Sequence, residues 1–192
     1  SLCPCVLIVQ LLGWAFLRAE PQVGVRKKQT IKHTPNMLRI AIQAKGRLNE
    51  QSIDLLSEAG IRVAESKRKL ISRAEGFPLE VLYLRDDDIP QAVSMGVADL
   101  GIVGLNEVAE KGFPVEQIMD PGSELPLSLA VPKTTAYEGL AFFRGRRVAT
   151  SYPNILARFF FNDTATTEIY TIEGSVEIAP AVGMADGIFD IV

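Results

Sequence analysis

Short apolar runs alternate with amphipathic stretches from residue 38 onward, which is the order expected of an α/β protein with largely parallel strands. Leu38–Gln43 is predicted as a strand, and residues 48–59 have helical spacing, with Gly60 available to end the helix. Three further apolar runs are predicted as strands: 62–64, 70–73 and Leu79–Leu84. This order indicates a first lobe over residues 37–124.

The segment after Leu84 predicts a helix followed by a buried strand. Asp88 is expected to cap the helix, Pro90 suits its first turn because the missing N–H has no partner there, and Gly96 ends it. Residues 99–103 are then predicted as a buried strand that opens onto Gly104.

A second lobe is predicted over residues 125–192. Its predicted elements are strands at 125–131, 146–150 and 187–192, a helix from Pro153 and a helix over 175–184. Residues 159–171 have neither helical nor strand period in their first half, so we interpret them as an interruption of the helix from Pro153. No internal repeat is evident. We expect the second lobe to be incomplete, because its last strand has nothing after it.

The first 36 residues are predicted to be a leader outside the native domain. Their apolar run, 6–17, is shorter than the roughly 20 residues that span a bilayer. No basic stretch precedes this run and no clear small-x-small cleavage site follows it, so the sequence does not favour a secretory signal. Met37 directly precedes the first well-patterned strand, which favours a start at that residue.

Composition and charge exclude several classes of function. Hydrophobic residues make up 47% of the chain and charged residues 22%, which is typical of a globular domain, and a net charge of -3 leaves no broad basic surface for nucleic acid. Cys3 and Cys5 have no second Cys/His cluster with which to complete a zinc site. The lone histidine, His33, lies in the leader, so a histidine-based hydrolase is not expected. We predict a cytoplasmic protein without a nucleic-acid or membrane partner.

Two loops of the first lobe carry candidate phosphate chemistry. Lys45, Gly46 and Arg47 join a strand end to a helix start, where backbone N–H groups and cations favour an anion, although an ordinary loop with solvated cations has the same composition. Arg85 precedes the acidic run 86–88. The plain interpretation of that run is one capping and two solvated carboxylates, and the alternative is that it holds Arg85 in a pose suited to a phosphate.

The strand predicted at 99–103 brings further polar groups. Asp99 stands at its start and Gly104 at its end, where α/β sheets gather ligands, although a tight turn alone also explains the glycine. Asn106 and Glu107 follow and offer hydrogen-bonding groups for a base or a ribose.

Three carboxylates mark the second lobe. Glu177 lies in the first turn of the predicted helix, where a favourable dipole interaction is the plain interpretation. Asp186 and Asp190 flank and enter the last predicted strand. A charge at Asp190, inside an apolar run, is costly unless it is paired or bound.

Five segments jointly resemble the ATP phosphoribosyltransferase family, in this order along the chain: 43–48, 85–90, 99–104, 148–153 and 174–192. Each segment is weak alone, whereas the combination is specific, and Arg-Asp-Asp-Asp-Ile-Pro resembles the long form that carries its own regulatory domain. The resemblance implies a two-lobed α/β fold like that of type II periplasmic binding proteins, C-terminally truncated, with the active site between the lobes. It implies condensation of ATP with phosphoribosyl pyrophosphate to N1-(5-phosphoribosyl)-ATP and pyrophosphate, with Mg²⁺, as the first step of histidine biosynthesis.

The same resemblance implies roles for individual residues. Lys45, Arg47 and Arg85 are implied as the catalytic cations, and the implied substrate-binding residues are Gly46, Asp99, Gly104, Asn106, Glu177, Asp186 and Asp190. Leu105 departs from the acidic residue often found after that glycine. The metal ligands are not assigned. The intact enzyme is expected to be a homo-oligomer inhibited by histidine through a regulatory domain. This chain alone is expected to be inactive, because the family's phosphate-binding loop follows the position of Val192.

The alternative is a non-enzymatic small-solute-binding protein of the same fold, with the apolar leader as a secretion signal. The two functions can be distinguished by the coding sequence upstream of Met37. A continuous sequence with an initiator and basic residues would favour the solute-binding protein.

Overall fold

The computed structural model describes residues 14–19, 37–64, 70–119, 126–160 and 167–191. They form two compact units, one containing the described residues up to Met119 and the other containing those from Pro126. Each unit combines helices with a sheet, which confirms the predicted α/β class with two lobes. The prediction of largely parallel strands is wrong for the first unit, where four of the six described strand pairings are antiparallel. The predicted lobe boundary, between residues 124 and 125, lies outside the described residues and stays a prediction.

The first unit is built on a seven-stranded sheet. Its strands are β1 (Trp14–Ala19), β2 (Leu38–Gln43), β3 (Arg62–Val63), β4 (Ile71–Glu75), β5 (Leu79–Leu84), β6 (Leu100–Gly104) and β7 (Val115–Met119), and its helices are α1 (Arg47–Glu58), α2 (Ile89–Ser94) and α3 (Leu105–Lys111). The strand order is β3-β4-β5-β2-β6-β1-β7. β2 lies parallel to β5 and to β6. These three strands therefore end at one edge of the sheet.

Apolar clusters cover both faces of this parallel centre. Ile40 of β2 belongs to a cluster with Leu56 of α1, whereas the next residue, Ala41, belongs to a cluster with Ile89 and Val93 of α2. Successive side chains of a strand point to opposite faces, so β2 contributes to both clusters. Burial on both faces explains why Ile40, Ala41 and Ile42 form a continuous apolar run at the centre of the strand.

The second unit has a four-stranded sheet with the order β10-β9-β11-β8. Its strands are β8 (Leu127–Ala130), β9 (Arg147–Thr150), β10 (Glu168–Thr171) and β11 (Gly187–Ile191), and its helix is α4 (Pro153–Phe160). β9 lies parallel to β10 and β11, and β8 runs antiparallel to β11. Ala149 and Ile188 pack with Val176 and Ala179 in its core.

Most predicted strands are confirmed, two of them with unchanged bounds: Leu38–Gln43 and Leu79–Leu84. The prediction of a helix over 175–184 is wrong, because only a three-residue 3-10 turn, Val176–Ile178, forms there. Ser175 has a left-handed φ of 32°, and Pro180 lacks the N–H that would extend the turn into an α-helix.

The predicted cap at Asp88 is also wrong. Asp88 closes a 3-10 turn, Asp86–Asp88, that runs directly into α2, so its backbone is already helical and its side chain makes no capping hydrogen bond. In the predicted interruption at 159–171, the helix reaches Phe160, residues 161–166 lie outside the described residues, and Glu168–Thr171 forms β10.

Part of the predicted leader lies in the sheet of the first unit. The backbone of β1 pairs antiparallel with β6 and with β7. The rest of residues 1–36 lies outside the described residues, and the exclusion of this region from the native domain stays a prediction. Among the helices of the described residues, none is long and apolar enough to cross a membrane.

A tight contact between α2 and β6 supplies a test of the fold. A Cβ added at Gly101 would lie 2.7 Å from Ile89 Cγ2 and 2.9 Å from Val93 Cγ2. Gly101→Ala is therefore expected to lower the free energy of unfolding by about 1–3 kcal/mol, because the added methyl group overpacks this contact. Urea denaturation measures this free energy. Ser57→Ala, on the exposed side of α1, is the control and should change the value by less than about 0.5 kcal/mol. A Gly101→Ala variant as stable as the parent would show that α2 does not pack there.

Candidate functional site

The carboxyl ends of β2, β5 and β6 bring six of the predicted residues to one edge of the first sheet. Gln43, the last residue of β2, is paired with Leu84, the last residue of β5, and the N–H of Ala44 donates to the carbonyl of Leu84 over 2.7 Å. β6 pairs with β2 on its other side and ends at Gly104. The predicted residues at this edge are Lys45, Gly46, Arg47, Arg85, Gly104 and Asn106. We call it the cationic edge.

The loop from β2 to α1 is held in a shape that requires glycine. Gly46 has φ 94°, a conformation that side-chain-bearing residues rarely adopt. Asn49 Nδ2, in the first turn of α1, donates to the carbonyl oxygen of Gln43 over 2.6 Å and so ties the helix to the strand end. Lys45 and Arg47 are exposed, and neither pairs with a carboxylate within the described part of the chain. Two solvent-facing cations thus flank a glycine at a helix start.

The acidic run after β5 organises the cationic edge. Asp86 Oδ2 accepts from Gln43 Nε2 over 3.4 Å, so the run is joined to the end of β2. Asp87 lies between two cations, with Arg85 Nε 3.2 Å from Oδ1 and Lys111 Nζ 3.6 Å from Oδ2. Asp86 and Asp87 of the run therefore join neighbouring elements of the cationic edge, and they are not simply solvated carboxylates. Sequence reasoning missed Lys111, because nothing in the local pattern separates it from any lysine at the end of a helix.

The turn from β6 into α3 depends on Gly104. A Cβ at Gly104 would collide with the side-chain oxygen of Asn106, so the amide lies directly against the glycine backbone. Asn106 is buried, and its Nδ2 donates to Glu107 Oε1 over 3.0 Å. Glycine here gives Asn106 its position, which a tight turn alone does not explain.

Asp99 lies at the opposite, amino edge of the same sheet. Its Oδ2 accepts from the backbone N–H of Arg39 over 2.8 Å, and its own N–H donates to the carbonyl of Arg39 over 2.9 Å. These bonds fasten the start of β6 to β2. Asp99 is therefore bonded to the backbone of a neighbouring strand. The length of the strands separates it from the cationic edge.

The same edge carries an ion cluster centred on the buried Glu80. Glu80 accepts from Arg39 Nε over 3.0 Å and from Arg73 Nε over 3.1 Å, and it links three neighbouring strands. Burial alone raises the pKa of Glu80, but the hydrogen bonds and charges of Arg39 and Arg73 hold it below the ordinary value. This cluster stabilises the sheet at a distance from the cationic edge.

Asp186 repeats the arrangement of Asp99 in the second unit. Its Oδ2 accepts from the backbone N–H of Arg147 over 2.9 Å, and its own N–H donates to the carbonyl of Arg147 over 2.8 Å. Both aspartates follow an alanine and start a parallel strand that contains a glycine. The two units therefore share a local motif that was not evident as a repeat in the sequence. Asp186 lies at the amino edge of its sheet.

Asp190 and Glu177 form the acidic part of the second unit's candidate site. Burial raises the pKa of Asp190, the N–H of Ile191 donates to it and lowers the pKa, and the negative charge of Glu177 raises it further. Asp190 lies opposite Ser128 in the sheet. A half-buried carboxylate beside a second one opposes folding and is typical of a functional position. Among the described residues, no group of three or more carboxylate, imidazole or thiol side chains is arranged to hold a metal ion.

The turn after β9 is ordered by its own hydroxyl groups. Thr150 Oγ1 accepts from the N–H of Tyr152 over 2.8 Å, and Ser151 Oγ donates to the carbonyl of Ile172 over 2.8 Å. This turn leads into α4 and joins the carboxyl ends of β9 and β10. It belongs to the segment 148–153 on which the sequence resemblance partly rests.

Comparison with known proteins identifies one family. The family model described as ATP phosphoribosyltransferase (HisG) matches residues 85–192, more than half of the chain. Proteins named ATP phosphoribosyltransferase from Parabacteroides distasonis and Bacteroides thetaiotaomicron are 55% and 54% identical over 157 residues, which is 81% of this chain. The chain spans 56% of the length of each of these relatives.

A solved structure supports the same relationship at the level of the fold. The ATP phosphoribosyl transferase (HisG:HisZ) complex from Thermotoga maritima contains a chain that is 30% identical and matches with a TM-score of 0.67. The match covers 81% of this chain and 74% of that one.

The raised pKa of Asp190 predicts how stability depends on pH. Below the ordinary carboxyl pKa, Asp190 is protonated in both the folded and the unfolded state, and as pH rises through its folded pKa the protein loses stability. Asp190→Asn removes the charge, so we expect it to raise the free energy of unfolding near pH 7 and to give a gain that shrinks towards pH 3. Urea denaturation across this range measures the difference. Asp54→Asn, at an exposed position of α1, controls for the substitution itself. A gain at Asp190 that is independent of pH would contradict this account.

Proposed function

We propose that this chain, which belongs to the ATP phosphoribosyltransferase family, forms the nucleotide- and phosphoribosyl-binding part of an enzyme that condenses ATP with phosphoribosyl pyrophosphate. The products are N1-(5-phosphoribosyl)-ATP and pyrophosphate. The observation that carries the proposal is the cationic edge, where Lys45, Gly46, Arg47 and Arg85 converge at the carboxyl ends of adjacent parallel strands. Ligands of open α/β sheets bind at this end of the strands.

The proposed chemistry needs positioning and charge neutralisation more than proton transfer. Adenine N1 attacks the anomeric carbon of the ribose, and the bond from that carbon to the pyrophosphate oxygen breaks. The leaving group departs readily once its negative charge is neutralised. Holding both substrates in the reacting geometry can supply roughly 7–11 kcal/mol of the barrier.

We assign the nucleotide and its phosphates to the cationic edge. Lys45, Arg47 and Arg85 meet phosphate oxygens, and Gly46 allows the backbone to approach them. Asn106, held against Gly104, is proposed to lie beside the adenine ring. Asp99 is not carried into this site, because its carboxylate is bonded to the backbone of Arg39 at the other edge.

We assign the phosphoribosyl group to the second unit, with Asp190 and Glu177 as partners for ribose hydroxyls. A partly buried carboxylate lowers the stability of the folded protein, and a ligand that donates hydrogen bonds to the carboxylate restores that stability. The raised pKa of Asp190 supports its role as such a binding carboxylate. Asp186 is left as a structural residue, since it binds the start of β9.

Magnesium is proposed to enter as part of the substrate. Mg²⁺ is commonly bound through one or two carboxylates together with substrate phosphates and water, rather than by an all-protein cage. The ion would neutralise the departing pyrophosphate. We also propose a cytoplasmic, homo-oligomeric enzyme of histidine biosynthesis, inhibited by histidine through a regulatory domain.

The activity has a direct test in the whole protein. Pyrophosphate release is expected only when ATP and phosphoribosyl pyrophosphate are both present, because neither substrate alone provides both the nucleophile and the leaving group. A coupled pyrophosphate assay measures it. Release with another acceptor base and none with ATP would overturn the proposal.

Arg85 has a separate test. Arg85→Lys keeps the positive charge but loses the planar fork, so kcat/KM should fall at least about tenfold, equivalent to about 1.4 kcal/mol. Arg62→Lys, the same change at an exposed position on β3, should leave kcat/KM within about twofold, as expected of an isolated surface residue. Unchanged kinetics for Arg85→Lys would assign Arg85 a structural role only.

A further inference from the structure

We propose that Asp87 is a positioning residue that holds Arg85 and Lys111 as a pair of cations for one diphosphate group. The inference rests on the proposed function and adds to it a residue, Lys111, that lies far from the other cations in the sequence. Arg85 comes from the end of β5, whereas Lys111 is the last residue of α3. Asp87 is the group that joins the two elements.

The geometry gives each carboxylate oxygen of Asp87 one cation. Oδ1 lies 3.2 Å from Arg85 Nε, and Oδ2 lies 3.6 Å from Lys111 Nζ. Oδ1 is buried and has no hydrogen-bond partner among the described residues, so its contact with Arg85 is an ion pair without hydrogen-bond geometry. A buried carboxylate oxygen without other partners depends on its neighbouring cations. The contacts of the Asp87 carboxylate are therefore with Arg85 and Lys111.

Exposure increases from the carboxylate to the cations. The side chain of Asp87 is 29% exposed, that of Lys111 38% and that of Arg85 69%. Arg85 approaches Asp87 through Nε, and its terminal nitrogens make no hydrogen bond among the described residues. The two terminal nitrogens of a guanidinium can bind a phosphate in a bidentate manner.

The charges explain why a carboxylate belongs in an anion site. Two cations brought together repel one another, and one carboxylate between them offsets the repulsion while leaving a net positive charge. A diphosphate contributes oxygens on adjacent phosphorus atoms, which suits two cations held side by side. Loss of Asp87 would leave the cations free to separate.

This arrangement predicts an effect opposite in sign to simple electrostatics. If Asp87 were only a nearby negative charge, Asp87→Asn would tighten anion binding. If it positions the cations, Asp87→Asn weakens binding even though the protein becomes more positive. We expect the Kd for inorganic pyrophosphate, measured by calorimetry on this chain, to rise at least about fivefold, which is about 1 kcal/mol.

Lys111 supplies the second arm of the experiment. Lys111→Gln should weaken pyrophosphate binding to a similar extent, and Lys111→Arg should restore most of it. Arg62→Gln removes a positive charge at the amino edge of the same unit and serves as the matched control, with an expected change of less than about twofold. In an Arg85→Gln/Lys111→Gln background, Asp87→Asn should have no further weakening effect, since the residues it positions are absent.

The outcomes separate this inference from the proposed function. Tighter or unchanged pyrophosphate binding by Asp87→Asn, or no pyrophosphate binding by the folded parent chain, overturns the inference. If pyrophosphate shows the expected pattern but ATP does not bind, the inference stands and the proposed function fails. Urea denaturation establishes that each variant is folded. If Asp87→Asn does not fold, equal binding by Lys111→Gln and the parent overturns the inference.

Discussion

The parallel pairing of β2 with β5 and with β6 is the constraint on which the proposed site depends. It places Gln43 beside Leu84 and brings the carboxyl ends of the three strands to one edge of the sheet. The Lys45 loop, the Arg85 turn and the Gly104 turn are far apart in sequence and become neighbours only through this register. A one-residue slip would turn every side chain of β2 to the opposite face and remove the apolar contacts on both sides of the sheet. The core and the site are thus fixed by the same pairing.

The carboxylates of the molecule divide according to the edge on which they lie. Asp99 and Asp186 bind backbone N–H groups at the amino edges of their sheets, where they fasten one parallel strand to its neighbour. Asp87 and Asp190 have environments that a purely structural role does not explain, because one joins two exposed cations and the other retains a charge that opposes folding. Distance along the strand therefore separates residues that stabilise the fold from those proposed to bind substrate or to position the residues that bind it.

Much of the fold could be predicted because hydrophobic period and glycine placement determine it locally. Leu38–Gln43 contains the continuous apolar run Ile40-Ala41-Ile42 because both faces of the strand are buried there, and that signal is present in the sequence. The helix predicted over 175–184 does not form, although the apolar residues have helical spacing. Pro180 lacks a backbone N–H, and Ser175 has a left-handed backbone conformation. Lys111 and the separation of Asp99 from the other candidates could not be predicted, since both follow from tertiary pairing rather than from neighbours in the chain.

The most direct test of the central claim is to find which edge of the first sheet responds to nucleotide. Titration of ATP into the isotope-labelled chain, followed by amide chemical shifts, distinguishes the two edges residue by residue. The account predicts that the largest changes occur at Gly46, Arg85 and Asp87, with little change at Arg39 and Asp99. Changes concentrated at Arg39 and Asp99, with the cationic edge unaffected, would contradict it.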